Sequence, residues 1–367
     1  IPVQYTRKQI FEFAESELLA IENELKVPGS NEYGRVDRVA GWFLLARMYL
    51  NAQTWINENK YQEAYIYATK VIADGHYPLA SDYREIFLAD NNTCKEIIWP
   101  LVQDGLRAQS SAGTNFYVKA FVNGPMDELY KTGVGSRGWG NVRAKVSLVD
   151  AFDADDVMFD GNDTWGNNKK DKRAQFMTGL PNQVKDTWDV NMDMTSTFTC
   201  GYGYIKWRNV TKEDELSASG DAYTSIDFPL FRTADAYLMA AEAILRGASG
   251  TKSEALGYVN EVRTRAYMSG KYAKNGVRSD VSGEIGANEL DLDFLLLERQ
   301  KELASELIRR TDLIRFGKYT KGNNWDWKNG VRLGEDVDDK YNLFPIPESE
   351  LTNNPTLVQN DGYKVIK

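Results

Sequence analysis

At 367 residues, 42% apolar and 26% charged, the chain can bury a large core of its own, so neither disulfides nor a metal is needed to hold it together. A net charge of −9 argues against nucleic-acid or anionic-membrane partners, which need clustered positive charge. No apolar run nears the roughly 20 residues of a membrane-spanning helix, and two cysteines without CxxC spacing build no metal site.

The chain opens on Ile1-Pro2-Val3, with no initiator Met and no signal peptide, and so reads as a processed or truncated product. Thr6 can cap a first helix in which Ile10, Phe13, Leu18, Ile21 and Leu25 recur at helical spacing, ending before Pro28-Gly29. A second helix is predicted from about Asp37 to Leu50. A third, Tyr61 to Ile72, is closed by Asp74-Gly75. Ala40 and Ala46 on one and Ala64 and Ala68 on the other fit a tight hairpin. The span Val39 to Ala73 is close to the ~34 residues of a tetratricopeptide unit.

Residues 91–230 lose helical periodicity and fill with Gly, Asp, Asn, Thr and Trp, with strand expected only at 96–102. A loop-rich stretch of ~140 residues is functional or disordered, and its aromatic content argues for function. A second alanine-rich helical hairpin follows at 233–247 and 252–267, then helices Leu290 to Ile308 and Thr311 to Tyr319. At the end, Pro345 and Pro347 exclude helix between them, and Asn354-Pro355 and Asp361-Gly362 mark turns. Yet Tyr341, Leu343, Phe344, Ile346, Leu351, Leu357, Val358 and Tyr363 are apolar or aromatic, which predicts a strap packed on the scaffold. The fold class expected is mainly α, a tetratricopeptide-like helical scaffold with a large loop-rich insertion carrying short strands.

Catalytic signals are weak. His76 is the only histidine and follows a helix, so no Ser-His-Asp or Cys-His arrangement can be assembled. Gly133 to Gly138 spells GxGxxG, but no strand precedes it and no helix follows, so it reads as a flexible loop. The cluster Asp153, Asp155, Asp156, Asp160 and Asp163 fits a solvated loop first. A glycosidase carboxylate pair or a structural Ca2+ site are the alternatives, and no other cofactor is called for. Aromatic loop residues are more promising, because sugar rings lay apolar C–H faces on flat side chains while polar groups meet the hydroxyls. Phe116-Tyr117 and Arg137-Gly-Trp139-Gly-Asn141 combine these types.

FPLFRTADAYLMAAEAILR (228–246), ALGYVNEVRTRA (255–266), LLLERQKELASELIRRTDLIRFGKY (295–319) and FPIPESELTNNPTLVQNDGY (344–363) run in one order along the chain. With GRVDRVAGWFLLARMYLNA (34–52) and KDKRAQF (170–176), this pattern resembles the SusD/RagB family of Bacteroidetes outer-membrane glycan-binding lipoproteins, its starch-binding founder most of all. The resemblance implies one SusD-like domain. Residues 1–90 and 231–320 would be its helical scaffold, 91–230 its ligand-binding region and 321–367 its closing strap. Family members carry roughly 150 further residues in front, including the lipid-bearing cysteine, to which nothing here corresponds. The function implied is non-catalytic capture of a glycan, starch-like α-glucan first, at the surface of a Gram-negative outer membrane. The partner would be a SusC-like TonB-dependent transporter, and the membrane would be reached only through that absent lipid anchor. Trp139 and Tyr117 would be stacking platforms with Phe116 beside them, and Arg137 and Asn141 the polar candidates. Two other readings are a hydrolase using Asp153–Asp163 and a scaffold that binds protein through its hairpins.

Overall fold

The computed structural model describes residues 2–107, 109–122, 130–157, 169–177, 202–268 and 282–364. Its frame is helical: α1 (Arg7–Ile21), α2 (Arg38–Ile56), α3 (Tyr61–Asp74), α4 (Thr114–Ala120), α5 (Thr233–Leu245), α6 (Lys252–Met268), α7 (Leu292–Glu302) and α8 (Arg309–Arg315). Among the described residues no helix is long and apolar enough to cross a membrane.

The expected caps form. Thr6 makes a capping box with Gln9, Asp37 accepts from the amides of Val39 and Ala40, and Gly75 closes α3 at φ 72°. Ala40, Ala46, Ala64 and Ala68 are all buried, so α2 and α3 pack closely. α3 packs in turn on α5, and α5 on α6, so the two hairpins form one continuous stack although the loop-rich region separates them in sequence. That region is closed at its base. β1 (Ile97–Leu101) and β4 (Phe228–Arg232) pair antiparallel, Ile97 opposite Arg232 and Leu101 opposite Phe228. Between them β2 (Phe176–Met177) and β3 (Gly203–Tyr204) make a second small pair.

Three expectations are corrected. α1 ends at Ile21, and its inward line is Phe11, buried, with Ala14 and Leu18 half-buried; Ile10, Phe13 and Ile21 lie exposed. The cause is that α1 packs mainly on α2, which covers one narrow stripe of it. The helix expected over 290–308 stops at Glu302, and Ser305 and Leu307 then adopt left-handed backbone, both at φ 62°. Buried side chains take the carbonyls there: Glu302 O accepts from Arg232 Nη2 (2.7 Å) and Tyr83 Oη (3.1 Å), and Ala304 O from Lys206 Nζ (2.7 Å). The C-terminal strap carries a short helix, Glu348–Asn353, and none of its eight apolar residues is buried. Leu343, Ile346, Leu351, Leu357 and Tyr363 are half-buried, and hydrogen bonds hold the strap as well: Arg310 to the carbonyls of Tyr341 and Asn342, Tyr363 Oη to Leu343 O, and Asn354 and Thr356 to Pro2 O.

Beneath the insertion lies a buried ionic network. Glu302 on α7 accepts from Arg173 (3.1 Å), Arg232 (2.6 Å) and Arg265. Glu96 pairs with Arg232 (2.9 Å) and Arg265 (2.6 Å), and Glu306 with Arg232 (2.7 Å) and Lys206 (2.6 Å). Glu298 joins Arg173 to Arg263 at 2.6 Å each, and Asp171 clamps Arg173 through two nitrogens at 2.8 Å. A second cluster ties α5, α7 and α8 through Asp235, Glu242, Arg299, Asp312 and Arg315.

Burial alone would raise the Glu302 carboxyl, but Arg265, Arg232 and Arg173 outweigh it and hold it down at about 2. Glu242, ringed by Arg315, Arg246 and Arg299, likewise sits at about 2. Each folded value lies below the ordinary 4.5, so their stabilisation is full above that pH and is lost as pH falls towards 2. A melting temperature flat between about pH 5 and 7 and dropping between pH 4.5 and about 2 is therefore expected. Arg232→Met, which takes one cationic partner from each of three buried carboxylates, should cost about 3–5 kcal/mol in urea unfolding.

Candidate glycan-binding face

α4 begins after Gly113 and is anchored by the Thr114 hydroxyl on Ile226 O at 2.7 Å. It presents Phe116 outward, 43% exposed, and leaves Tyr117 half-buried. The glycine-rich loop then lies along the end of this helix. Trp139 N donates to Lys119 O (2.8 Å), Gly140 N to Val122 O (2.7 Å), and the amides of Asn141 and Val142 to Ala120 O at 2.8 Å. That backbone clasp brings Trp139, 37% exposed, to 6.2 Å from Phe116 between ring centroids, tilted by 58°.

Gly133 explains why the loop needs glycine here. It sits at φ 74°, and a Cβ would stand 2.4 Å from Asn209 O. The GxGxxG spelling thus serves a close approach of two loops. Its middle is a single turn, Gly135–Arg137, with no strand before it and no helix after it.

Arg137 Nε donates to Asp221 Oδ1 at 3.0 Å, so the guanidinium is held at the edge of Trp139's loop. An open cleft of about 360 Å³ runs beside it, lined by Ser111, Lys119, Ser136, Trp139 and Tyr223 among others. Lys119 Nζ bonds Ala222 O and lies 5.7 Å from the Tyr223 ring centroid. Burial and the neighbouring Arg137 push its pKa down.

Sequence reasoning named Phe116, Tyr117, Arg137, Trp139 and Asn141, and the fold brings these five to one side of the insertion. Phe116 and Trp139 offer open ring surface. Tyr117 is committed inward, with its ring 5.3 Å from Trp207 and 5.7 Å from Phe228; burial raises its hydroxyl pKa. Asn141 is exposed and contributes its backbone amide. Lys119, Asp221 and Tyr223 were missed. Lys119 stands in a short helix inside the stretch where helical periodicity fades, and the 221–223 segment enters only through tertiary folding.

Of the acidic cluster, Asp156 is buried and accepts from the amides of Lys170 (2.6 Å) and Asp171 (3.1 Å), which ties the short helix Ala154–Val157 to the 170–171 turn. Asp153 is exposed; the Asp155 side chain, Asp160 and Asp163 lie outside the described residues. No group of three or more metal-ligating side chains occurs among the described residues. His76 is exposed, edge-on to Tyr77 at 4.8 Å.

The family model described as the SusD family matches residues 95–363. The starch-binding protein SusD of Bacteroides thetaiotaomicron is 32% identical over 99% of this chain, which spans 67% of that protein's length. SusD-like protein P25 of Formosa agariphila is 25% identical over 90% of the chain and 59% of its own length. Two solved structures share the fold. A SusD-like protein of Bacteroides fragilis has a TM-score of 0.68 at 21% identity, covering 98% of this chain and 72% of that one. Surface glycan-binding protein A of Bacteroides thetaiotaomicron, in complex with laminarihexaose, has a TM-score of 0.66 at 22% identity, with the same coverage.

The loop clasp yields a comparison of two glycines. Gly133→Ala should lower the melting temperature by several degrees. Gly220→Ala should do so less: it has similar φ (72°) but nothing within 4 Å of the added carbon.

Proposed function

The chain belongs to the SusD family, and from that premise we propose that it is a non-catalytic surface protein that captures a glycan on the Phe116–Trp139 face. The observation that carries this reading is the pair of exposed rings fixed by backbone hydrogen bonds beside a cleft of lysine, arginine, serine and tyrosine donors. Large flat side chains left open at that position lose water exposure only when a partner covers them, and a pyranose face fits that role. Arg137, held by Asp221, and Lys119 would meet hydroxyls along the edge. The same Asp221 would keep Arg137 from collapsing onto Trp139.

A starch-like α-glucan is the first ligand class, supported by the 32% identity to a starch-binding relative. Delivery to a SusC-like TonB-dependent transporter, and a lipid anchor on the outer face of the outer membrane, extend the same family reading. Catalysis is not part of it: among the described members of the acidic cluster Asp153 is exposed and Asp156, which is buried, is occupied by backbone amides.

Affinity electrophoresis through gels containing starch, pullulan, dextran, inulin or mannan tests the proposal. The protein should be retarded by an α-glucan and release no reducing sugar from it. Trp139→Ala should weaken retention by roughly tenfold, since a single ring stack is worth on the order of 1 kcal/mol. Unchanged retention in a folded Trp139→Ala protein, or release of reducing sugar, would overturn it.

A further inference from the structure

Away from the aromatic face, α7, the turn after it and α8 border a cavity of about 620 Å³. Residues 143–148 close one side and 318–325 the other, and no lining residue is shared with the cleft at Trp139. The size is that of a pocket for a small organic ligand. Its floor is apolar, with Leu148, Leu296, Leu303 and Leu313, and Leu297 stands at the rim, 39% exposed. Tyr319 and Trp325 form a wall, their ring centroids 5.8 Å apart and tilted by only 34°.

The charge around this floor is unusual. Arg309 and Arg310 both line the cavity, and among the described residues neither comes within 4.0 Å of a carboxylate oxygen. Arg309 donates only to neutral groups, Leu296 O at 2.8 Å and Gln300 Oε1 at 2.7 Å. Arg310 donates to the carbonyls of Tyr341 and Asn342 and lies 4.4 Å over the Phe344 ring and 4.9 Å over that of Tyr319. Arg299 and Arg315, from the same stretch, are instead matched by Asp235, Asp312 and Glu242. In a chain of net charge −9 this is no shortage of carboxylates. Two consecutive arginines of α8, each with only neutral hydrogen-bond partners and both lining a cavity with an apolar floor, leave positive charge there without a carboxylate against it. Of the other charged lining groups, Lys318 is bonded to Asp293 and Arg299 to Asp312, Lys145 lies 3.5 Å from Asp326 outside the cavity, and Arg143 adds a further positive charge. Strain accompanies the site, since Ser305 on its wall and Leu307 beside it both hold left-handed backbone.

We propose that this cavity binds a small amphipathic anion, an apolar ring or chain bearing one carboxylate or sulfonate. The apolar body would rest on the leucines against Trp325, and the anionic head would lie between Arg309 and Arg310. The proposal does not depend on the glycan reading.

Calorimetric titration of the 367-residue chain with anilinonaphthalene sulfonate and with neutral phenylnaphthylamine tests it. The sulfonate should bind at one site at least tenfold tighter than the neutral probe, the scale of a hydrogen bond to a charged group. Leu297→Asp should weaken the sulfonate by about tenfold or more and Leu297→Arg should retain it, because only the sign of the rim charge differs. Arg310→Gln should weaken it several-fold. Equal affinity for both probes, equal loss in both Leu297 variants, or a sulfonate indifferent to Leu297→Asp would each overturn the assignment. Polysaccharide retention should be the same in both Leu297 variants as in the parent.

Discussion

Glu302 receives arginines from three separate parts of the chain at one buried point: Arg173 from the insertion, Arg232 from the end of β4 and Arg265 from α6. Each of these charges would be costly to bury alone, and the cost is offset only when the whole set is present. The network therefore behaves as an all-or-nothing joint. It seats α7 against the hairpin stack, ends that helix by occupying its carbonyls, and draws the insertion down onto the frame. Arg232 serves twice, because the strand that carries it also closes the insertion against β1. Without this joint the loop-rich region would be a long excursion with a two-stranded stem.

Such an anchor matters for the exposed face. Phe116 and Trp139 stand on a short helix and a glycine loop, neither of which would hold a fixed geometry in isolation. Their footing is the layer of Tyr117, Trp207 and Phe228 beneath, with Trp207 and Phe228 stacked at 5.6 Å. Phe228 opens β4, four residues before Arg232, so the aromatic layer and the ionic joint share one strand. A surface prepared in this way loses little conformational freedom when it meets a ligand, which favours binding by stacking alone. Which glycan it accepts is decided in the loops around it, since one fold of this kind can carry many binding faces.

Much of the frame was legible in the sequence. Thr6, Asp37 and Gly75 marked helix ends because capping is local chemistry, and the alanines of α2 and α3 marked a close crossing. The acids of α7 and its turn were not legible as core. Glu298, Glu302 and Glu306 recur every four residues, which ordinarily describes a solvated helix face; only their tertiary partners reverse that reading. Strand β4 was hidden by Pro229 and by the helical pattern that follows it at once. The aromatic face was half legible: rings in glycine-rich segments announce themselves, whereas Lys119 and Tyr223 become neighbours only after folding. The face of α1 failed for a related reason, because periodicity shows that a stripe exists but not which neighbour covers it.

The central claim is that the rings held by the α4 clasp are where the sugar lies. A crystal structure of the chain soaked with a short oligosaccharide of the polysaccharide that retains it would test this most directly. The account predicts a sugar ring within van der Waals contact of Trp139 and Phe116, with hydroxyls reached by Arg137 or Lys119. Sugar density elsewhere on the molecule, with Trp139 left bare, would contradict it.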